Sequence, residues 1–316
     1  MPYISETLLD SVAFVAVPGD EGRTVPGGTA FLVSVSCRPA DKEDPGFLYL
    51  ITARHVLEES RDERLCVLIN TKDGGRDRVE TPRSDWFTHD RADVALWPLG
   101  RADGERILLW QTEAIPAEFL LSDDHRFTAP GGLMPEYADT RIEIGDEVFI
   151  AGLFRQSAGR ARNVPVARFG RIARLPGEPL VMSRWGGQRF ESDGFLVDLH
   201  SFGGFSGSPI IWRRQVLTPI LRGGKPIGAR LEYIGGLAGL LSAHFDLPVS
   251  GRVRRSRELA EIAAAEAGAE DPDAVEMEMQ TTVNSGLAVV TSAAHIRSLI
   301  EREDVAEDRA HRCADR

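Results

Sequence analysis

Hydrophobic positions along the chain come in short runs. VAFVAV (12–17), TAFLVSV (29–35), FLYLIT (47–52), LCVLIN (65–70) and DVALWPL (93–99) form a first group, punctuated by Gly, Pro, Asp and Asn. EVFIAGLF (147–154), VARFGRIARL (166–175), GFLVDLH (194–200), SPIIW (208–212), YIGGLAGLLS (233–242) and SGLAVVTS (285–292) form a second. Runs of this length, rich in β-branched and aromatic residues, predict strands, and so many of them predict an all-β sandwich or barrel. Strands do not alternate with long helices, which speaks against a doubly wound α/β fold. Two helices are predicted. SRELAEIAAAEAG (256–268) is rich in Ala and Glu and stops at Gly268. SAAHIRSLIERE starts at a candidate N-cap, Ser292, and sets Ile296, Leu299 and Ile300 on one face. The polar stretch 126–140 separates an N-terminal unit, 1–125, from a C-terminal unit, 141–303, followed by a polar tail, 304–316.

Composition narrows the class. Hydrophobic residues at 42% and charged residues at 27% fit a globular protein of one or two domains. A net charge of -11 argues against a nucleic-acid partner, because phosphate contacts need clustered Lys and Arg. Arg252, Arg254, Arg255 and Arg257 run straight into acidic sequence and read as a solvated loop or helix entry. Cys37, Cys66 and Cys313 form no C-x-x-C pair, so neither a disulfide framework nor a zinc site is expected. No His/Glu cluster has metal-ligand spacing and no glycine loop is built for phosphate, so no metal or cofactor is expected. The N-terminus has neither the basic start nor the long apolar core of an export signal, and no apolar run reaches the length of a membrane span. A cytoplasmic protein without a membrane partner is the expectation.

Chemistry concentrates at three places. In SFGGFSGSPI (201–210), Ser206 sits among glycines on a tight loop. A serine is a weak nucleophile unless a base takes its proton, and the base works best when a carboxylate fixes its tautomer. His55 follows the apolar strand FLYLIT, a rigid position at a strand end. Asp93 opens DVALWPL, where a poorly solvated carboxylate needs a partner. His89 and Asp90 are close enough to be confused with that partnership; the apolar strand after Asp93 favours Asp93. His125, His295 and His311 read as surface or helix residues, and Asp198 as structural.

TARHV (52–56), DVAL (93–96) and GFSGSP (204–209), in this order, resemble the motifs of the trypsin-like (chymotrypsin-fold) serine proteases. The form is similar to the bacterial heat-shock-type and glutamyl-endopeptidase branches. IGDEVFIAG (144–152), FLVDLHSFGG (195–204), GLAGLLSAHF (236–245) and NSGLAVVTSAAHIRSLI (284–300) extend the likeness over roughly residues 12 to 303. It implies an all-β fold of two six-stranded Greek-key barrels with a C-terminal helix. His55 and Asp93 would come from the first barrel and Ser206 from the second. The N–H groups of Gly204 and Ser206 would form an oxyanion hole. His200, Ser201, His244 and Gly286 would line the primary specificity pocket. A pocket with two histidines and no carboxylate suits an acidic or small apolar residue before the scissile bond. Phe205 stands where the digestive enzymes carry Asp, so activation by a freed N-terminus is not expected. The segment 244–283 is longer than in compact members and is expected as a helical insertion. The implied activity is a serine endopeptidase acting on a peptide or protein, with a regulatory protein partner as an option. The alternative is a silent or latent protease-fold module that binds a peptide or protein.

Overall fold

The computed structural model describes residues 6–18, 24–38, 46–60, 63–101, 104–111, 113–127, 140–183, 189–201, 203–222, 225–253 and 277–314. After the short helix α1 (Glu6–Asp10), strands β1 (Val12–Pro18), β2 (Thr24–Val35) and β3 (Phe47–Thr52) pair as an antiparallel meander. Helix α2 (Arg54–Glu58) leads to β4 (Arg64–Asn70), β5 (Arg76–Pro82), β6 (Phe87–Thr88) and β7 (Ala95–Pro98). Helix α3 (Gly104–Leu109) and β8 (Ile115–Pro116), which pairs in parallel with β2, complete the lobe. The strand order is β5-β4-β1-β2-β3-β7-β6. A closed six-stranded barrel was expected here. The structure has an open eight-stranded sheet, because its edge strand β6 is only two residues long and does not pair with β5 at the other edge.

In the 126–140 stretch, β9 (Arg126–Phe127) pairs with β10 (Thr140–Arg141). The second lobe follows with β11 (Glu147–Gly152), β12 (Val166–Arg174), β13 (Leu180–Ser183), β14 (Arg189–Ser192) and β15 (Gly194–Asp198). Strands β16 (Pro209–Arg222), β17 (Lys225–Val253) and β18 (Met277–Ser292) close a six-stranded barrel in the order β11-β12-β15-β18-β17-β16. Both ends of the expected 244–283 insertion are strand. Residues Asp246–Val253 of β17 pair with Met277–Asn284 of β18, so a β-ribbon carries the chain away from the barrel. The helix expected at 256–268 lies outside the described residues.

Ser292 caps helix α4 (Ala293–Glu301) by accepting the Ala294 N–H at 3.2 Å, and Ile296, Leu299 and Ile300 are buried as their spacing predicts. The expected polar tail is instead a second helix, α5 (Glu303–Ala314), laid against the first lobe. Arg309 donates to the Tyr49 hydroxyl at 3.0 Å, Arg312 to the Gly100 carbonyl at 3.2 Å, and Cys313 forms a disulfide with Cys37. That bridge corrects the expectation of no disulfide. Its cysteines stand 276 residues apart, so local spacing holds no sign of it. Among the described residues, no helix is long and apolar enough to cross a membrane.

The lobes meet along β1. Its Ala13 and Val15 point into the main core, while Val12, Phe14 and Ala16 pack with Cys66, Leu68 and the second lobe's Ala151 and Leu153. Burial on both faces explains the unbroken apolar run at 12–16, where a half-exposed strand would alternate. Fully burying a side chain the size of Phe14 contributes about 1.5–3 kcal/mol.

Candidate functional site

Strand β3 is buried at every position except Leu48, and it ends at Ala53, whose extended backbone starts α2. This fixes His55 on the first turn of α2. The Asp93 side chain reaches it from the turn between β6 and β7. Asp93 Oδ2 lies 2.7 Å from His55 Nδ1, and Asp93 Oδ1 accepts the His55 backbone N–H at 2.9 Å. One carboxylate thus holds both the ring and the main chain. Both side chains are largely covered, at 20% and 14% exposure.

From the second lobe, the Ser242 hydroxyl on β17 also hydrogen-bonds the Asp93 carboxylate. Ser242 Oγ is 2.5 Å from Thr291 Oγ1, so a polar chain runs Thr291–Ser242–Asp93–His55. Burial pushes the Asp93 pKa up. The hydrogen bonds from His55 and Ser242 outweigh it and hold the carboxyl below its ordinary 3.8. An ionised Asp93 facing Nδ1 keeps the ring proton there and leaves Nε2 as the basic nitrogen.

Ser206 sits on the turn before β16. Its carbonyl accepts the Thr29 N–H at 2.8 Å, joining it to β2 of the first lobe. Gly207 packs directly against the end of β3: a Cβ there would collide with the Thr29 carbonyl and Thr52 Oγ1 and stand 3.0 Å from Ala53 N. With φ at +84°, it also holds a left-handed backbone that glycine alone adopts cheaply. The close approach sets Ser206 beside the turn that bears His55.

Gly204, with φ at +106°, is buried against Leu153, and its carbonyl accepts the Thr29 hydroxyl at 2.8 Å. Thr29 Oγ1 in turn accepts the Leu153 N–H at 2.9 Å. One threonine therefore braces the turn from beneath, with the Gly204 carbonyl drawn down toward it.

Of the expected pocket residues, three come together. The His200 ring lies over Gly286, with Cε1 3.0 Å from where a Cβ would stand. Ser201 is buried, its carbonyl accepts Asn284 Nδ2 at 2.8 Å, and Asn284 Oδ1 accepts the Gly286 N–H at 2.8 Å. Among the described residues the Ser201 hydroxyl has no partner. His244 is exposed on β17 opposite Ala288, two residues along from Gly286. Asp198 pairs with Arg171 and Leu287 through the barrel ladder and is exposed, a structural position. Thr29, Ser242 and Asn284 went unnoticed in the sequence. Each acts through a partner far along the chain, and a lone Ser, Thr or Asn in a strand gives no local signal of that.

The site thus combines a carboxylate-bound imidazole with a serine on a glycine turn at the seam of two β lobes. No family model matches the chain, and no curated protein matches it. Solved structures do. The Rv3671c protease from M. tuberculosis, active form, is 13% identical, with 94% of this chain and 82% of that chain covered and a TM-score of 0.44. Its inactive form gives 13%, 94%, 90% and 0.42. Human heparin binding protein gives 13%, 95%, 93% and 0.42.

Proposed function

We propose that the protein is a serine endopeptidase that hydrolyses peptide bonds through His55, Asp93 and Ser206. The observation that carries this reading is the 2.7 Å contact between His55 Nδ1 and Asp93 Oδ2, at a strand end against which the Ser206–Gly207 turn is packed. In this mechanism His55 Nε2 takes the Ser206 proton as Oγ attacks the substrate carbonyl. Asp93 stabilises the imidazolium, and the N–H groups of Gly204 and Ser206 receive the developing oxyanion. His55 then gives its proton to the leaving amine, and a water, deprotonated by His55, hydrolyses the acyl-enzyme. His200, Ser201 and His244 supply donors without a carboxylate, which suits an acidic side chain before the scissile bond; a small apolar one is the lesser option.

A fluorophosphonate probe tests the nucleophile. The folded wild type is expected to label on Ser206 and Ser206→Ala to remain unlabelled. A peptide library read with the wild type and His200→Ala then tests the pocket, the variant losing preference for acidic residues. Absence of labelling in folded wild type would favour the second reading, a peptide-binding module of protease shape. The Cys37–Cys313 bridge favours work in an oxidising compartment over the expected cytoplasm.

A further inference from the structure

The turn that bears Asp93 is held by another histidine. His89 Nδ1 accepts two backbone N–H groups, from Arg91 at 3.1 Å and from Ala92 at 2.9 Å. The His89 N–H donates to the Val94 carbonyl at 2.9 Å, and Arg54, the neighbour of His55, donates to the His89 carbonyl at 3.0 Å. On its far side, His89 Nε2 lies 3.1 Å from Ser298 Oγ on α4. A nitrogen that accepts two N–H bonds carries no proton, so the ring is neutral and its single proton sits on Nε2, donated to Ser298. The geometry imitates an Asx turn, in which an Asn or Asp side chain accepts the N–H groups two and three residues on.

We propose that His89 is a positioning residue for Asp93: its bare Nδ1 clasps the turn that aims the carboxylate at His55, and protonation of Nδ1 opens the clasp in acid. A protonated Nδ1 cannot accept, so the Arg91 and Ala92 N–H groups lose their partner and the ring must turn away. Only three residues separate His89 from Asp93, and the ring ties down two of them, Arg91 and Ala92, so a release there is felt directly at the carboxylate. The charges around His89 set where this happens. His295 on α4 meets it edge-on at 5.1 Å between ring centroids, Arg54 faces it from α2, Arg302 from the end of α4, and Asp90 from the turn itself. Asp193 and Arg91 act on His295. Burial and then His295 oppose a positive charge on His89 and hold its pKa below the ordinary 6.5, while Asp90 works the other way. The clasp is therefore closed at neutral pH and opens below it.

The test uses the full-length Ser206→Ala protein, whose His55 Nδ1–H proton gives a low-field NMR signal while it is bound to Asp93. This readout needs no proteolysis, so it stands or falls separately from the protease reading on which the catalytic consequence rests. On acidification the signal is expected to vanish while Asp93 is still ionised. Adding His89→Asn, whose Oδ1 accepts the same N–H groups and does not titrate, is expected to carry the signal to lower pH. Adding His89→Ala is expected to weaken it at neutral pH in a protein still folded by circular dichroism. In the active enzyme, His89→Ala should lower kcat/KM by about tenfold to a hundredfold, the scale of a misplaced catalytic group, with His89→Asn recovering part of the loss. A signal that survives acid to the protonation of Asp93 itself, or is lost at the same pH with His89→Asn, overturns the proposal. If the alanine protein does not fold, the asparagine comparison decides.

Discussion

Thr29 shows how much of the Ser206 turn rests on a residue outside it. Its hydroxyl donates to the Gly204 carbonyl and accepts the Leu153 N–H, both in buried surroundings. Thr29→Val keeps the shape but strands two buried polar groups, at a cost of about 1–3 kcal/mol each. The variant is expected to lose stability to urea by that order and to label more slowly with fluorophosphonate than the wild type at equal folded fraction. Equal labelling rates would show that Gly204 holds its turn without this brace. At this scale the sequence was legible where chemistry and local context coincide. His55 after an apolar strand and Asp93 before one could be singled out, and so could Ser206 among glycines. Thr29 and Ser242 could not, because their meaning lies in partners 175 and 149 residues away. His89 was visible, but as a rival to Asp93. Its part in holding the turn depends on which ring nitrogen faces the backbone, which no sequence displays.

Among elements, the barrel strands were read from their apolar runs, and α4 from its cap and buried stripe. Helix α5 was missed because Val305 is its only fully buried apolar side chain, too little for a periodic pattern. What fastens it is polar or covalent: Arg309 to Tyr49, Arg312 to Gly100, and Cys313 to Cys37. Closing so long a loop stabilises by about 2–4 kcal/mol in typical cases. Cys37→Ser with Cys313→Ser is expected to melt at a lower temperature than the wild type. A reductant should lower the wild type to the same point and leave the double variant unmoved. An unchanged melting temperature would mean that the arginines alone hold α5. The open first sheet has a similar explanation, since a two-residue edge strand leaves no pattern from which to read whether a sheet closes.

For the whole molecule, the half-buried histidines set a limit in acid. Burial holds the pKa values of His89, His125 and His295 below 6.5. Between 6.5 and those lower folded values the unfolded chain binds more protons than the folded one. Their stabilising effect is complete above 6.5 and declines as the pH falls toward the folded values. Asp77 and Asp93, held below 3.8, add a second loss as the pH falls through that range. The urea midpoint is expected to drop between about pH 7.5 and about pH 5.5, and triple replacement of the histidines by Gln should flatten that interval, if the fold survives it. A wild-type midpoint constant over that interval would contradict the burial of these rings.

Strand β1 gives the chain a property that division into two lobes conceals. Because one of its faces belongs to the main core, which residues of both lobes share, and the other packs on Ala151 and Leu153, either lobe made alone would present a raw apolar face to water. His55 and Asp93 belong to one lobe, Ser206 and Ser242 to the other, and the seam that aligns them runs along β1. The smallest portable unit of this site is therefore the whole two-lobed body. Grafting the serine turn onto another scaffold would carry Ser206 without the surface that aims it.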